Sequence, residues 1–363
     1  MAGLFDFFRR RGGGGSKPAP SSTIRDVAFG EIKKVWSAED GDIVEQEEGF
    51  DWLPASHTVH FRMRSDQDDP SRYRLWVVTE FLRSVGSDDE KTAVDIGTLT
   101  PVICPTFAPV RGSKDGSKTG PTNLHFFSSV YVSDDDSAGA FAGLLARLSV
   151  LQPFMAERAA DDFARFLRGT PALAIDSKRQ TESIVSHIGE MVTGKSGGIS
   201  DWSGSPEFEA FVERYARNDH CFGMADRGTG MTLETPFGSD TALIRFDTEG
   251  VFPGLGHGLL VRTMFRSTDT PARICALASL LNDLEGTQST DFAQLGCWHL
   301  HSLSDDKSVL AHSCFIPNIF FGDGLVTNYG LWAIARAMWA AKVLLPDAGT
   351  RTVVEILKAR HGL

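Results

Sequence analysis

Several signatures are missing from this chain of 363 residues, and each absence removes a class of function. It holds no Gly-x-Ser-x-Gly elbow and no His-Glu-x-x-His pair, which argues against the corresponding hydrolase chemistries. Positive charge is in deficit: 36 Lys and Arg against 47 Asp and Glu leave a net charge of -11. Such a chain repels the phosphates of DNA and RNA, so no nucleic-acid partner is expected. Cysteine is sparse; the five are odd in number and widely scattered. They suggest no disulfide framework and favour a reducing, cytoplasmic setting. No apolar run approaches the ~20 residues of a membrane helix. Residues 1–11 place their arginines after a short apolar stretch, the reverse of a secretory signal. Two Gly-Lys stretches fall short of a phosphate loop. Gly116-Ser-Lys118 lacks the spacing; Gly189 to Gly194-Lys195-Ser196 has it, but the helical pattern of residues 184–192 runs up to it where a phosphate loop follows a strand. No enzyme activity, cofactor or resident metal is expected.

What is abundant is apolar and aromatic: 42% hydrophobic residues, with 25 Phe and 7 Trp. This is enough for two cores. The chain is organised around a buried strand, residues 259–265, that leads into a helix opened by Thr270-Pro271. Ile274, Leu277, Leu281 and Leu284 form one stripe on that helix. The same unit occurs earlier. Strand 127–132, a cap at Asp136-Ser137 and the stripe Phe141, Leu144, Leu148 and Leu151 match it at one constant offset. A match through strand, cap and helix predicts two related modules in tandem. The expected fold class is α+β, each module an antiparallel-rich sheet packed by helices.

In order, residues 1–22 read as a flexible tail and linker, and 23–194 as module one. Residues 195–205 are a Gly/Ser-rich break, 206–346 module two, and 347–363 a tail. Module one begins with a helix over residues 24–36, and the acidic residues 39–48 read as a loop. Strands follow at 58–63 and 72–81, the second running into a helical turn at 81–85. Residues 111–122 are a Gly/Lys/Ser-rich loop. Helix continues from the repeated unit to Leu167, with another at 177–192. Module two reads as α-β-β-β-α-β-β-α, with a hairpin of strands 297–303 and 308–316 and a last helix over 325–344.

Three places invite a ligand or partner. With Asp305-Asp306 as the hairpin tip, Cys297 faces Cys314 and His299 faces His312 on one side of the sheet. Two Cys and two His are tetrahedral zinc chemistry, although a flat sheet face lacks the usual knuckle; packing beneath a helix is the competing reading. The last helix has two apolar stripes, where a surface helix needs one. If Trp332 and Trp339 fill the core, Leu331, Ile334 and Met338 are left for a partner protein, a second copy of the chain or module one. Finally, Leu4, Phe5 and Phe8 with Arg9–Arg11 sit on a Gly/Pro tether, a candidate docking peptide or weak lipid anchor.

The element order of module two, with Gly256-His-Gly-Leu-Leu-Val261, Gly296-Cys-Trp298, Phe315-Ile-Pro-Asn318 and the Trp-bearing last helix, resembles the YbjN-like group of the type III secretion chaperone fold. More narrowly, it resembles tandem chaperone-like proteins of bacterial NTPase-linked conflict, or phage-defence, systems. The resemblance covers about residues 206–345, and in module one only the strand to Val132 and the helix after it. It implies a non-enzymatic protein that holds segments of protein partners, an NTPase or peptidase of the same system among them. It carries over no catalytic residue.

Overall fold

The computed structural model describes residues 22–36, 43–53, 57–66, 69, 71–85, 96, 106–113, 122–173, 202, 205–215, 222–226, 230–237, 240–253, 255–267, 269–288, 290, 292–304, 307–321 and 324–345. These residues form an α+β fold with two antiparallel sheets. The first sheet contains β1 (Ile43–Gln46), β2 (Gly49–Trp52), β3 (Val59–Ser65), β4 (Tyr73–Val85), β5 (Ala108–Ser113) and β6 (Thr122–Val132). Its order is β1-β2-β3-β4-β6-β5, and the short β7 (Thr170–Pro171) pairs with β4. Helices α1 (Ser22–Trp36), α2 (Asp135–Ser149) and α3 (Leu151–Leu167) accompany it.

Val59, Phe61 and Met63 alternate inward along β3, as their period-two spacing requires. The helical turn expected at residues 81–85 is strand instead. Register shifts between Glu80 and Leu82, and between Leu82 and Val85, put both Phe81 and Leu82 in the core. A bulge of this kind breaks alternation and imitates a helical pattern. The acidic stretch read as a loop contains β1, whose edge lies against α1: Lys33 pairs with Glu45 at 2.6 Å and Arg25 donates to the Gln46 carbonyl at 3.4 Å. The expected loop at 111–122 overlaps the end of β5 and the start of β6. The capping residue of α2 is Asp134, two positions before the expected Asp136-Ser137, in a reciprocal capping box with Ser137. Gln152, wholly buried in α3, accepts from Thr79 at 2.9 Å and donates to Ser128 at 3.0 Å. These bonds tie α3 to the middle of the sheet. By length and composition 135–167 could cross a membrane, but 78% of its apolar window is buried within the chain.

The second sheet contains β8 (Phe222–Asp226), β9 (Gly230–Phe237), β10 (Asp240–Phe252), β11 (Gly256–Phe265), β12 (Cys297–Ser304) and β13 (Lys307–Pro317), ordered β12-β13-β11-β10-β9-β8. With it go α4 (Pro206–Tyr215), α5 (Pro271–Thr287) and α6 (Leu325–Leu344). Beyond the expected order it has β8. Both sheets carry the strand–helix unit, β6 with α2 and β11 with α5, and in each the stripe leucines 144 and 148 or 277 and 281 are buried. They differ beside it. The outer neighbour of β11 is β13, from the hairpin after α5; that of β6 is β5, from upstream in sequence.

The last helix corrects another expectation. Leu331 and Ile334 are 5% and 3% exposed, and Met338 is half-buried against the same core, so this stripe is no free partner-binding face. Trp332 and Trp339 do not account for its inner side alone. Trp332 meets Phe141 of α2 at 5.8 Å, and Trp339 meets Phe292 at 5.9 Å. Helix α6 also touches β9, β10, β11 and α4, so it is covered on several sides. Gly330 admits the Phe211 ring of α4 into the helix surface: a Cβ there would lie 2.2 Å from it. Residues 1–21, 174–200 and 346–363 lie outside the described residues, and with them Leu4, Phe5 and Phe8, the helix expected at 177–192 and the C-terminal tail.

The sheets are joined by a polar seam. Ser129 of β6 and Gln294, in the α5–β12 connection, exchange backbone hydrogen bonds at 3.1 and 2.7 Å. The Gln294 side chain accepts from Ser129 Oγ at 2.7 Å and from Arg74, and donates to the Glu285 carbonyl. Arg74 reaches the same carbonyl at 2.8 Å, and Arg72 reaches the Thr290 carbonyl at 2.7 Å. Behind this row, Glu285 and Arg336 form a buried ion pair at 3.0 Å.

Candidate functional site on the open face of the first sheet

The hairpin does not bring its two Cys and two His together. Pairing at its open end follows the register Cys297↔Ser313, Trp298↔His312 and His299↔Ala311, because an irregularity between Ser302 and Ser304 absorbs one residue. A slip of one position sends a side chain to the other face. Cys297 and His299 therefore lie on one face, and His312 and Cys314 on the other. His299 is buried, with Nε2 2.8 Å from Ser313 Oγ and Nδ1 2.8 Å from the Leu300 carbonyl. Burial lowers its pKa to about 4. The tetrahedral zinc reading loses its geometry.

The face of the first sheet turned away from its own core meets the seam and α5 at Arg74, Ser129 and Val110, and beside them carries a polar, partly solvent-exposed network. Alternation along β3 and β4 turns His60, Arg62, Arg64, Trp76, Val78 and Glu80 away from the core. Asp51 of β2 lies directly opposite His60, and Val78 opposite it on the other side. His60 Nδ1 is 2.8 Å from Asp51 Oδ1, and Nε2 is 3.5 Å from Glu80 Oε1. Arg62 pairs with the same Asp51 oxygen and donates to the Phe50 carbonyl at 2.7 Å. Glu80 also pairs with Arg83 at 2.7 Å. Asp51, which shows no acid/base pairing in the sequence, is thus committed to two cations.

The electrostatics follow from these contacts. Burial alone would lower the His60 pKa, but bonds to Glu80 and Asp51 outweigh it and raise the value. The His60 bond, with help from Arg83, brings Glu80 down to about 2. Burial would raise Asp51, yet His60 and Arg62 keep it low. His125 lies opposite Glu80 on β6; burial lowers its pKa, and its Nδ1 has no hydrogen-bond partner among the described residues. An imidazolium with both nitrogens turned to carboxylates has no lone pair with which to take a proton. His60 therefore crosslinks β2, β3 and β4 and is poorly disposed to act as a base. Beside this rigid patch the Arg64 guanidinium sits 5.5 Å from the centre of the Trp76 ring, while Glu48 holds Arg64 at 2.5 Å. Sequence alternation could have placed His60, Arg62, Trp76 and Val78 on one face. The cross-strand partners need the register.

This network makes a pH prediction. The raised pKa of His60 means that its contribution is fully present below its unfolded value of 6.5 and is lost as pH rises through the folded value. The depressed Glu80 contributes fully above 4.5 and loses that contribution as pH falls through about 2. Both act together between pH 4.5 and 6.5. The difference in melting temperature between the unaltered chain and His60→Gln should be largest in that window and shrink toward alkaline pH. Thermal melts of both proteins across the pH series measure it. A difference that grew above neutrality would contradict the assignment.

No family model, curated protein or solved structure matches this chain. The resemblance to chaperone-like proteins therefore rests on the sequence motifs alone.

Proposed function

We propose that the chain is a non-enzymatic, chaperone-like adaptor that binds other proteins in the cytoplasm, with the open face of the first sheet as its contact surface. The observation that carries this reading is the pairing of Trp76 with Arg64 beside Val78, on strands held rigid by the Asp51–His60–Glu80 crosslinks. Trp and Arg are the residue types that most often dominate protein interfaces, and a preordered surface loses little entropy on binding. The net charge of -11 is consistent with a protein partner and unfavourable to nucleic acid. An NTPase or peptidase partner and a role in a bacterial conflict system come from the family resemblance and remain parts of the proposal.

The test compares tagged full-length chain with Trp76→Ala and Arg64→Ala, each purified from its native host and identified with its companions by mass spectrometry. A protein recovered with the unaltered chain should be rebuilt as a purified pair and its affinity measured. Loss of an interface anchor is expected to weaken binding by about 2 kcal/mol, roughly 30-fold, with the melting curve unchanged. Equal affinity for all three chains would move the contact surface elsewhere.

A further inference from the structure

We propose that the second sheet encloses a hydration site in which one tightly held water bridges Thr263 Oγ1, His312 Nε2 and Tyr329 Oη beneath α6. These three atoms are buried and have no hydrogen-bond partner among the described residues. Their residues are 0%, 3% and 3% exposed. Buried polar groups are rarely left unpaired, and a buried water making about three hydrogen bonds is the usual remedy.

The register brings two of the three together, and Tyr329 of the overlying helix is near Cys314, the next residue on the same face of β13. Thr263 of β11 and His312 of β13 are directly opposed, so their Cβ atoms lie about 5 Å apart. Thr263 shares its face with the buried Val261 and Phe265, and α6 packs on β11. Tyr329 stands in α6, its ring 5.6 Å from that of Trp332. Burial, then the nearby Cys314, push its phenol well above the ordinary value; Cys314 is two positions beyond His312 on the same face of β13. The His312 ring is fixed where it is. Trp298 meets it edge-on at 5.2 Å. Gly296 (φ +97°) lies so close that a Cβ there would stand 2.6 Å from His312 Cε1. Burial keeps the imidazole neutral, so its nitrogen can serve as donor or acceptor according to tautomer. Two hydroxyls and one such nitrogen can match both the hydrogens and the lone pairs of a water molecule.

A high-resolution crystal structure of the unaltered chain tests this directly. The expected result is a single water peak within about 2.6–3.2 Å of at least two of the three atoms. Water magnetic relaxation dispersion on the same protein should count a long-lived internal water that Tyr329→Phe with Thr263→Val removes. A dry gap, density for a larger molecule, or all three atoms bonded to protein groups would overturn the proposal. If the double variant does not fold, the crystal structure of the unaltered chain still decides.

Discussion

Glu285→Ala is expected to cost about 3–5 kcal/mol of folding stability, as breaking one side of a buried ion pair generally does. Glu285 and Arg336 are 5% and 3% exposed. One carboxylate oxygen accepts from the Trp298 indole at 2.6 Å and from Arg336 Nε at 3.0 Å. Arg336 also donates to the Ala293 carbonyl at 2.7 Å and lies over the Phe292 ring at 4.6 Å. Burial pushes the Glu285 carboxyl above its ordinary range, with Arg336 and Trp298 opposing. The upward shift means that Arg336 and Trp298 do not fully offset the cost of burying the carboxylate's charge. Truncating Glu285 leaves the guanidinium without its counter-ion and the indole without its acceptor. Replacing both partners by apolar residues, Glu285→Leu with Arg336→Met, should cost much less than either single change, because no buried charge is then orphaned. Urea denaturation of the three variants measures this. Equal and additive losses would show that the two side chains act independently.

Leu277→Ala and Leu144→Ala are expected to destabilise by about 2–5 kcal/mol each. The two residues hold equivalent places in the stripes of α5 and α2, and are 2% and 5% exposed. Both side chains are buried in the core, so each truncation should leave a cavity. Leu303, 56% exposed near the hairpin tip, is the control, and its truncation should stay within about 0.5 kcal/mol. Denaturation midpoints compare all three. If Leu144→Ala behaved like the control, the first helix would not bear on its sheet as the second does, and the proposed relation between the modules would lose its physical basis.

The parts legible in sequence are those that repeat locally. The stripes of α2 and α5, the alternation of β3 and the apolar run of β11 each follow from spacing within a few residues. The short strands β1 and β5 do not, since pairing with β2 and β6 makes them strands while their composition resembles loop. A hairpin tip predicts register only if no residue bulges, and the irregularity near Ser302 separated the four Cys and His residues. The two stripes of α6 announced that both sides are covered, but not by what. The seam was the least legible of all. Arg74, Ser129, Glu285, Gln294 and Arg336 look like solvent-facing polar residues until the fold joins positions as distant as Arg74 and Gln294. The candidate binding face stood between these extremes. Alternation marks its polar side, whereas the Asp51–His60 pairing depends on a neighbouring strand.

These contacts imply that the two sheets fold and melt as one unit, with the Ser129–Gln294 exchange and the Glu285–Arg336 pair at their junction. Differential scanning calorimetry of the intact chain tests this most directly. One transition is expected, with equal calorimetric and van't Hoff enthalpies. In Glu285→Ala that transition should move down as a whole. Two resolved transitions in the unaltered protein, or a variant that lowers one half while the other keeps its melting temperature, would contradict the account.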